Sequence, residues 1–99
     1  MIVHHDSEHD CLTLQLGQRF DFSIHRDFHE ACLDSGKAAR SYVIDLGEVT
    51  SMDSSALGML LLLRKHAGGD RAEIRIVNAN SALRGTLRVA GFDKLFTLH

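Results

Sequence analysis

Three consecutive residues, Asp53, Ser54 and Ser55, concentrate the chemistry of this chain: two hydroxyls beside a carboxylate, with the apolar run Met59 to Leu63 close behind. A hydroxyl in such company has two uses. It is a nucleophile if a base is held against it, and seven histidines are available. It is a phosphate acceptor if it opens a helix, because the unpaired N–H groups and the positive end of the helix dipole partly neutralise a phosphoryl group. The nucleophile reading lacks machinery: there is no glycine-rich phosphate loop and no serine with glycine two residues on either side. The acceptor reading needs only the helix. The plainest reading needs less still, since a serine at a helix start commonly just caps it.

The histidines offer metal chemistry in two places. His4, His5 and His9 stand among Asp6 and Glu8, and imidazole suits zinc, copper and nickel. A terminal segment, however, does not by itself supply a fixed coordination geometry. His25 and His29 are four apart and so neighbours on a helix face, but no zinc-protease motif surrounds them and a solvated face is the simpler expectation. We therefore expect no metal site and no cofactor. Cys11 and Cys32 match neither a zinc pattern nor a disulfide framework, which suggests reduced thiols in a cytoplasmic protein.

The elements that must position the serines are legible from pattern. Tyr42 to Leu46 is β-branched and aromatic, a strand. Gly47, Glu48, Thr50 and Ser51 form a polar loop, and Asp53, Ser54 and Ser55 are three candidate N-caps in a row. The helix after them should end where Arg64, Lys65 and His66 suit its C-terminus and Gly68 or Gly69 can turn left-handed. Upstream, Cys11 to Leu16 alternates as a half-buried strand, and Gln18 to Phe20 is a second short one. Asp21 or Ser23 then caps a helix running to about Ser35 and closed by Gly36. Downstream come a strand at Ala72 to Val77, a helix from the Asn78, Asn80 and Ser81 cluster to Gly91, and a short terminal strand at Leu95 to Leu98.

This alternation predicts α/β layering with parallel pairs, to which Cys11 to Leu16 could add an antiparallel edge. Residues 1 to 9 are either mobile or a short leading strand. With 99 residues, 44% of them hydrophobic and 24% charged, the chain is expected to fold as one domain over residues 1–99. A formal charge of -2 provides no basic field for nucleic acid or an anionic membrane. No apolar run is long enough to span a bilayer, so direct membrane insertion is not expected, and the first ten residues do not read as a secretory signal.

Around the central helix, each residue advances about 100 degrees. Leu57, Leu60 and Leu61 then cluster opposite Ser55 and form the expected sheet-facing trio. Gly58, Met59 and Leu62 share the side of Ser55, and a single sheet contact does not account for them. They either meet the last helix or form a protein-docking surface together with Ser54.

The segment Met52 to Leu63, MDSSALGMLLLL, resembles the signature of the STAS family, small α/β domains that include bacterial anti-sigma factor antagonists. YVIDLGEVTSMD is similar to the strand and acidic loop before that family's phosphorylation site, and RFDFSIHRDF to its strand, loop and first helix. IRIVNANSALRGTLRVAGFDKLFTL resembles its last strand, helix and terminal strand, so the likeness runs from Cys11 to His99.

The resemblance implies a mixed sheet of four to five strands with helices mainly on one face, and a partner-switching function rather than catalysis. In that scheme the unphosphorylated domain binds an anti-sigma factor or a serine kinase of GHKL type. Phosphorylation releases it, and a PP2C-type phosphatase reverses the change. The implied acceptor is Ser55, with Ser54 secondary, and Asp53 and Asp21 are the acidic residues of the switch region. Ala56 departs from the glycine many members carry, and Gln18 from the glycine of the preceding turn. A non-switching structural subunit of an ABC-type lipid-transport complex is the alternative the same family offers.

Overall fold

The computed structural model describes residues 1–34 and 37–99. Strands β1 (Ile2–Asp6), β2 (Cys11–Gln15), β4 (Ser41–Asp45), β6 (Ile74–Val77) and β7 (Thr97–Leu98) form one mixed sheet in the order β1-β2-β4-β6-β7. Strands β3 (Arg19–Phe20) and β5 (Ser51–Met52) form a separate parallel ribbon. Among the described residues three α-helices complete the fold: α1 (His25–Cys32), α2 (Ser54–His66) and α3 (Ser81–Val89).

The alternation of side chains along each strand divides the sheet into two faces. Leu14, Tyr42, Ile44, Ile74 and Ile76 are buried on one face and join a single core with Phe28, Cys32, Leu60, Leu63 and Leu87 of the helices. Thr13, Gln15, Val43, Asp45 and Arg75 lie on the other, which is half-buried to exposed. The helices therefore cover one face, as expected. Burial pushes the Cys32 thiol up to about 12, so it is a protonated packing group, and Cys11 is likewise unbridged.

One topological expectation is corrected. Cys11–Gln15 is not an antiparallel edge: it pairs parallel with β4, Leu14 facing Ile44. The antiparallel edge is β1, which returns through a short turn to pair Val3 with Leu14. Alternation alone could not distinguish these, because period two is common to both pairings. Residues 2–6 thus take the leading-strand alternative.

The first helix is also shorter than its pattern. Asp21 caps a 3-10 turn, Phe22–Ile24, and α1 proper begins only at His25 and ends at Cys32. The expected stop at Ser35 and Gly36 lies outside the described residues. Elsewhere the boundaries agree closely: Gly68 and Gly91 are left-handed after α2 and α3, and Asn80 Oδ1 accepts the Leu83 N–H at 2.9 Å.

The face of α2 is the main correction. Its buried residues are Ala56, Met59, Leu60 and Leu63, spaced as one helical stripe, while Leu61 is 44% and Leu62 49% exposed. Leu61, expected in the core, faces out. Met59, expected on the docking side, is 2% exposed. The helix is apolar nearly all round, so its pattern has no strong polar side to fix the rotation, and the sheet decides it. Leu60→Ala should cost about 2–5 kcal/mol, whereas Leu61→Ala should stay within about 0.5 kcal/mol of wild type. Urea unfolding of the two variants reads the difference directly.

Candidate functional site

The approach to the serines is built by the loop after β4. Asp45 Oδ1 accepts the Gly47 N–H at 2.8 Å and the Asn78 Nδ2–H at 3.1 Å, tying the end of β4 to the end of β6. Val49 is buried and its N–H donates to the Leu46 carbonyl, which turns the chain back toward the sheet. The Gln18 carbonyl then accepts from the Thr50 N–H, the Thr50 hydroxyl and the Ser51 N–H, at 2.8, 3.2 and 3.2 Å. That junction starts the β3/β5 ribbon.

The ribbon aligns the two aspartates. Arg19 faces Ser51 and Phe20 faces Met52 in parallel register, so Asp21 and Asp53 leave the ribbon at the same end. Each then caps a helical segment. Asp21 Oδ1 accepts the N–H and the hydroxyl of Ser23, and these bonds hold its carboxyl below the usual carboxylate range. Asp53 Oδ1 accepts the Ala56 N–H at 3.1 Å and is the N-cap of α2.

Because Asp53 is the cap, Ser54 and Ser55 are the first two residues of the helix and neither is needed to start it. Ser54 is exposed and Ser55 half-buried, and among the described residues neither hydroxyl makes a hydrogen bond. The histidines that bond to carboxylates are His5, His9 and His29, with Asp10, Asp6 and Asp34.

Two rows of side chains run along α2 from these serines. Ser54, Gly58 and Leu61 are spaced i, i+4, i+7, and Ser55, Gly58 and Leu62 i, i+3, i+7. Together they make the outward face, with Phe22, 67% exposed, next to Asp21 at the end of the ribbon. Of the residues expected to bind a partner, Ser54, Gly58 and Leu62 lie on this face and Met59 does not. Leu61 and Phe22, also exposed, were not among the expected residues. The seven-residue interval from Ser54 would have found Leu61, whereas nothing in the local pattern marks Phe22 as exposed.

Gly58 is the informative member. A Cβ there would meet nothing within 4 Å, so no packing inside the molecule requires glycine. In a helix interior glycine costs roughly 0.5–1 kcal/mol relative to alanine. A glycine that the fold does not need, set between the two serines and exposed Leu61 and Leu62, suits close approach by another backbone.

This is a small α/β domain with two serines at the start of one helix and exposed leucines along that helix's outer face. The chain belongs to the STAS family: the family model described as "Mlab, STAS domain" matches residues 3–98. It is 47% identical over 87 residues to a STAS-domain containing protein of Pseudomonas aeruginosa (strain UCBPP-PA14), spanning 88% of this chain and 86% of that protein. Among solved structures, it is similar to a candidate anti-sigma factor antagonist from Thermotoga maritima, with a TM-score of 0.78 at 17% identity over 98% of this chain and 83% of that one. The anti-sigma factor antagonist SpoIIAA in its unphosphorylated form matches with a TM-score of 0.66 at 13% identity, over 94% of both chains. At these identities the structural likeness is one of fold.

Stability measurements should separate the cap from the serines. Asp53→Ala should cost about 1 kcal/mol, while Asp53→Asn, an equally good cap, should cost little. Ser55→Ala should lie within about 0.5 kcal/mol of wild type. A loss for Ser55→Ala as large as for Asp53→Ala would return the capping role to Ser55.

Proposed function

We propose that this domain is an anti-sigma factor antagonist that works by partner switching. Its unphosphorylated form docks on an anti-sigma factor or a GHKL-type serine kinase through the outer face of α2. Phosphorylation at Ser55 releases the partner, and a PP2C-type phosphatase restores binding. The role is one of binding, and no catalytic residue is assigned.

The observation that carries this reading is the division of labour at the start of α2. Asp53 caps the helix, which leaves the Ser55 hydroxyl available in the first turn, where the helix dipole favours an anion. A phosphoryl group adds about 1.5 to 2 negative charges at neutral pH. On Ser55 that charge sits in the same row as Gly58 and Leu62, so any partner covering those residues must desolvate it. The nearby Asp53 carboxylate adds like-charge repulsion without being needed for the modification. The fold survives and the interface does not. Ser54, one position earlier and more exposed, is the secondary acceptor.

Incubation with the cognate kinase followed by mass mapping should place one phosphate on Ser55. Transfer to Ser55→Ala at the wild-type rate would assign it elsewhere. In a pull-down, Ser55→Ala should retain the partner and Ser55→Asp should lose at least about tenfold in affinity, which corresponds to about 1.4 kcal/mol. Gly58→Ala gives an independent check on the docking face: thermal unfolding should show a gain of about 0.5–1 kcal/mol, while partner affinity falls.

The match of residues 3–98 to the Mlab model favours one further reading. There the same face braces the ATPase of an ABC-type lipid-transport complex, and Ser55 is a contact rather than a switch. Co-purification discriminates the two: an ABC-type ATPase supports the structural subunit, and a kinase or anti-sigma factor supports the switch.

A further inference from the structure

On α1, His25 and His29 stand one helical turn apart with ring centroids 6.3 Å apart and planes inclined by 32°. Two imidazoles that share an ion through nitrogens at about 2.0–2.1 Å place their centroids roughly 4.5–6.4 Å apart, depending on the angle at the metal. The pair is at the wide end of that range, and a tetrahedral ion needs the rings to draw about 1 Å closer.

Both rings are held. His29 Nδ1 hydrogen-bonds Asp34 Oδ1 at 2.9 Å. With Nδ1–H donating to the carboxylate, the Nε2 lone pair is left for a metal, the arrangement that orients imidazole ligands in many metal sites. His25 stacks on Phe22, with centroids 5.1 Å apart and planes 20° from parallel. An open depression of about 300 Å³ is lined by His25, Arg26, His29, Glu30 and Asp34. The Arg26 guanidinium is drawn to Glu30 at 3.5 Å, so its charge is offset beside the depression.

We propose that His25 and His29 bind one divalent transition ion of the imidazole-preferring class, zinc, nickel or copper, with water completing its coordination. Asp34 is a positioning residue that sets the tautomer of His29. Magnesium and calcium, which take oxygen ligands, are excluded by the donor set. The ion would link the turn carrying Phe22 to the second turn of α1.

The test must separate this site from the turn between β1 and β2, where ligand atoms of Asp6, Glu8 and His9 lie within 4.8 Å of one another. Zinc sulfate is titrated into the tag-free full chain carrying His9→Ala, with binding read by calorimetry and by 15N shifts of the imidazoles. One zinc per chain is expected, with the His25 and His29 nitrogens shifting together. Adding His29→Ala should lower affinity on the order of ten- to a hundredfold, and Asp34→Asn about tenfold, with loss of the His29 Nδ1–H bias in the 15N shifts. All these positions are largely exposed, and a circular-dichroism spectrum checks folding. The site is overturned if the His9→Ala protein binds no zinc, or if binding survives His29→Ala unchanged.

Discussion

The hydrogen bond from the Ala56 N–H to the Asp53 carboxylate is the contact on which the serine end of α2 depends. It starts α2 at Ser54 and relieves both serines of the work a helix start demands. Ala56, fully buried, is at once the donor to the cap and the first residue of the buried stripe that continues through Met59, Leu60 and Leu63. The cap and the core are thus joined at one residue. Whatever happens to Ser55 happens on a helix whose position is set by its neighbours on either side in sequence, not by Ser55 itself.

The supporting contacts share that logic. Asp45 ties two strand ends, the Gln18 carbonyl gathers three donors from Thr50 and Ser51, and the short ribbon brings Asp21 and Asp53 out at one end. Most of these polar contacts join segments far apart in sequence. They hold in place a loop whose apolar anchoring comes mainly from Leu46 and Val49. The chemistry is local to three residues, but its geometry is assembled from segments as far apart as Gln18 and Asn78.

That distribution explains what was legible in the sequence. Elements with local signals were readable: the strand at Tyr42, the capping cluster before α2, the asparagine cap of α3 and the left-handed glycines after α2 and α3. The resemblance of residues 52–63 to one family pointed to Ser55. The rotation of α2 was not legible, because leucines and methionine surround it and only the sheet distinguishes Leu60 from Leu61. Nor was the parallel pairing of Cys11–Gln15, since an alternating strand carries no direction. The ribbon was half visible: Ser51 and Met52 are too short a strand to show a period at all.

Gly58 has a consequence for the history of such a chain. Its lack of a side chain answers no need of the fold, and alanine there would make a better helix. Random substitution under selection for stability alone should remove it readily. On the proposed docking role, glycine here is kept by a constraint from outside the molecule, and in lineages where the partner is lost it should be among the first residues to drift.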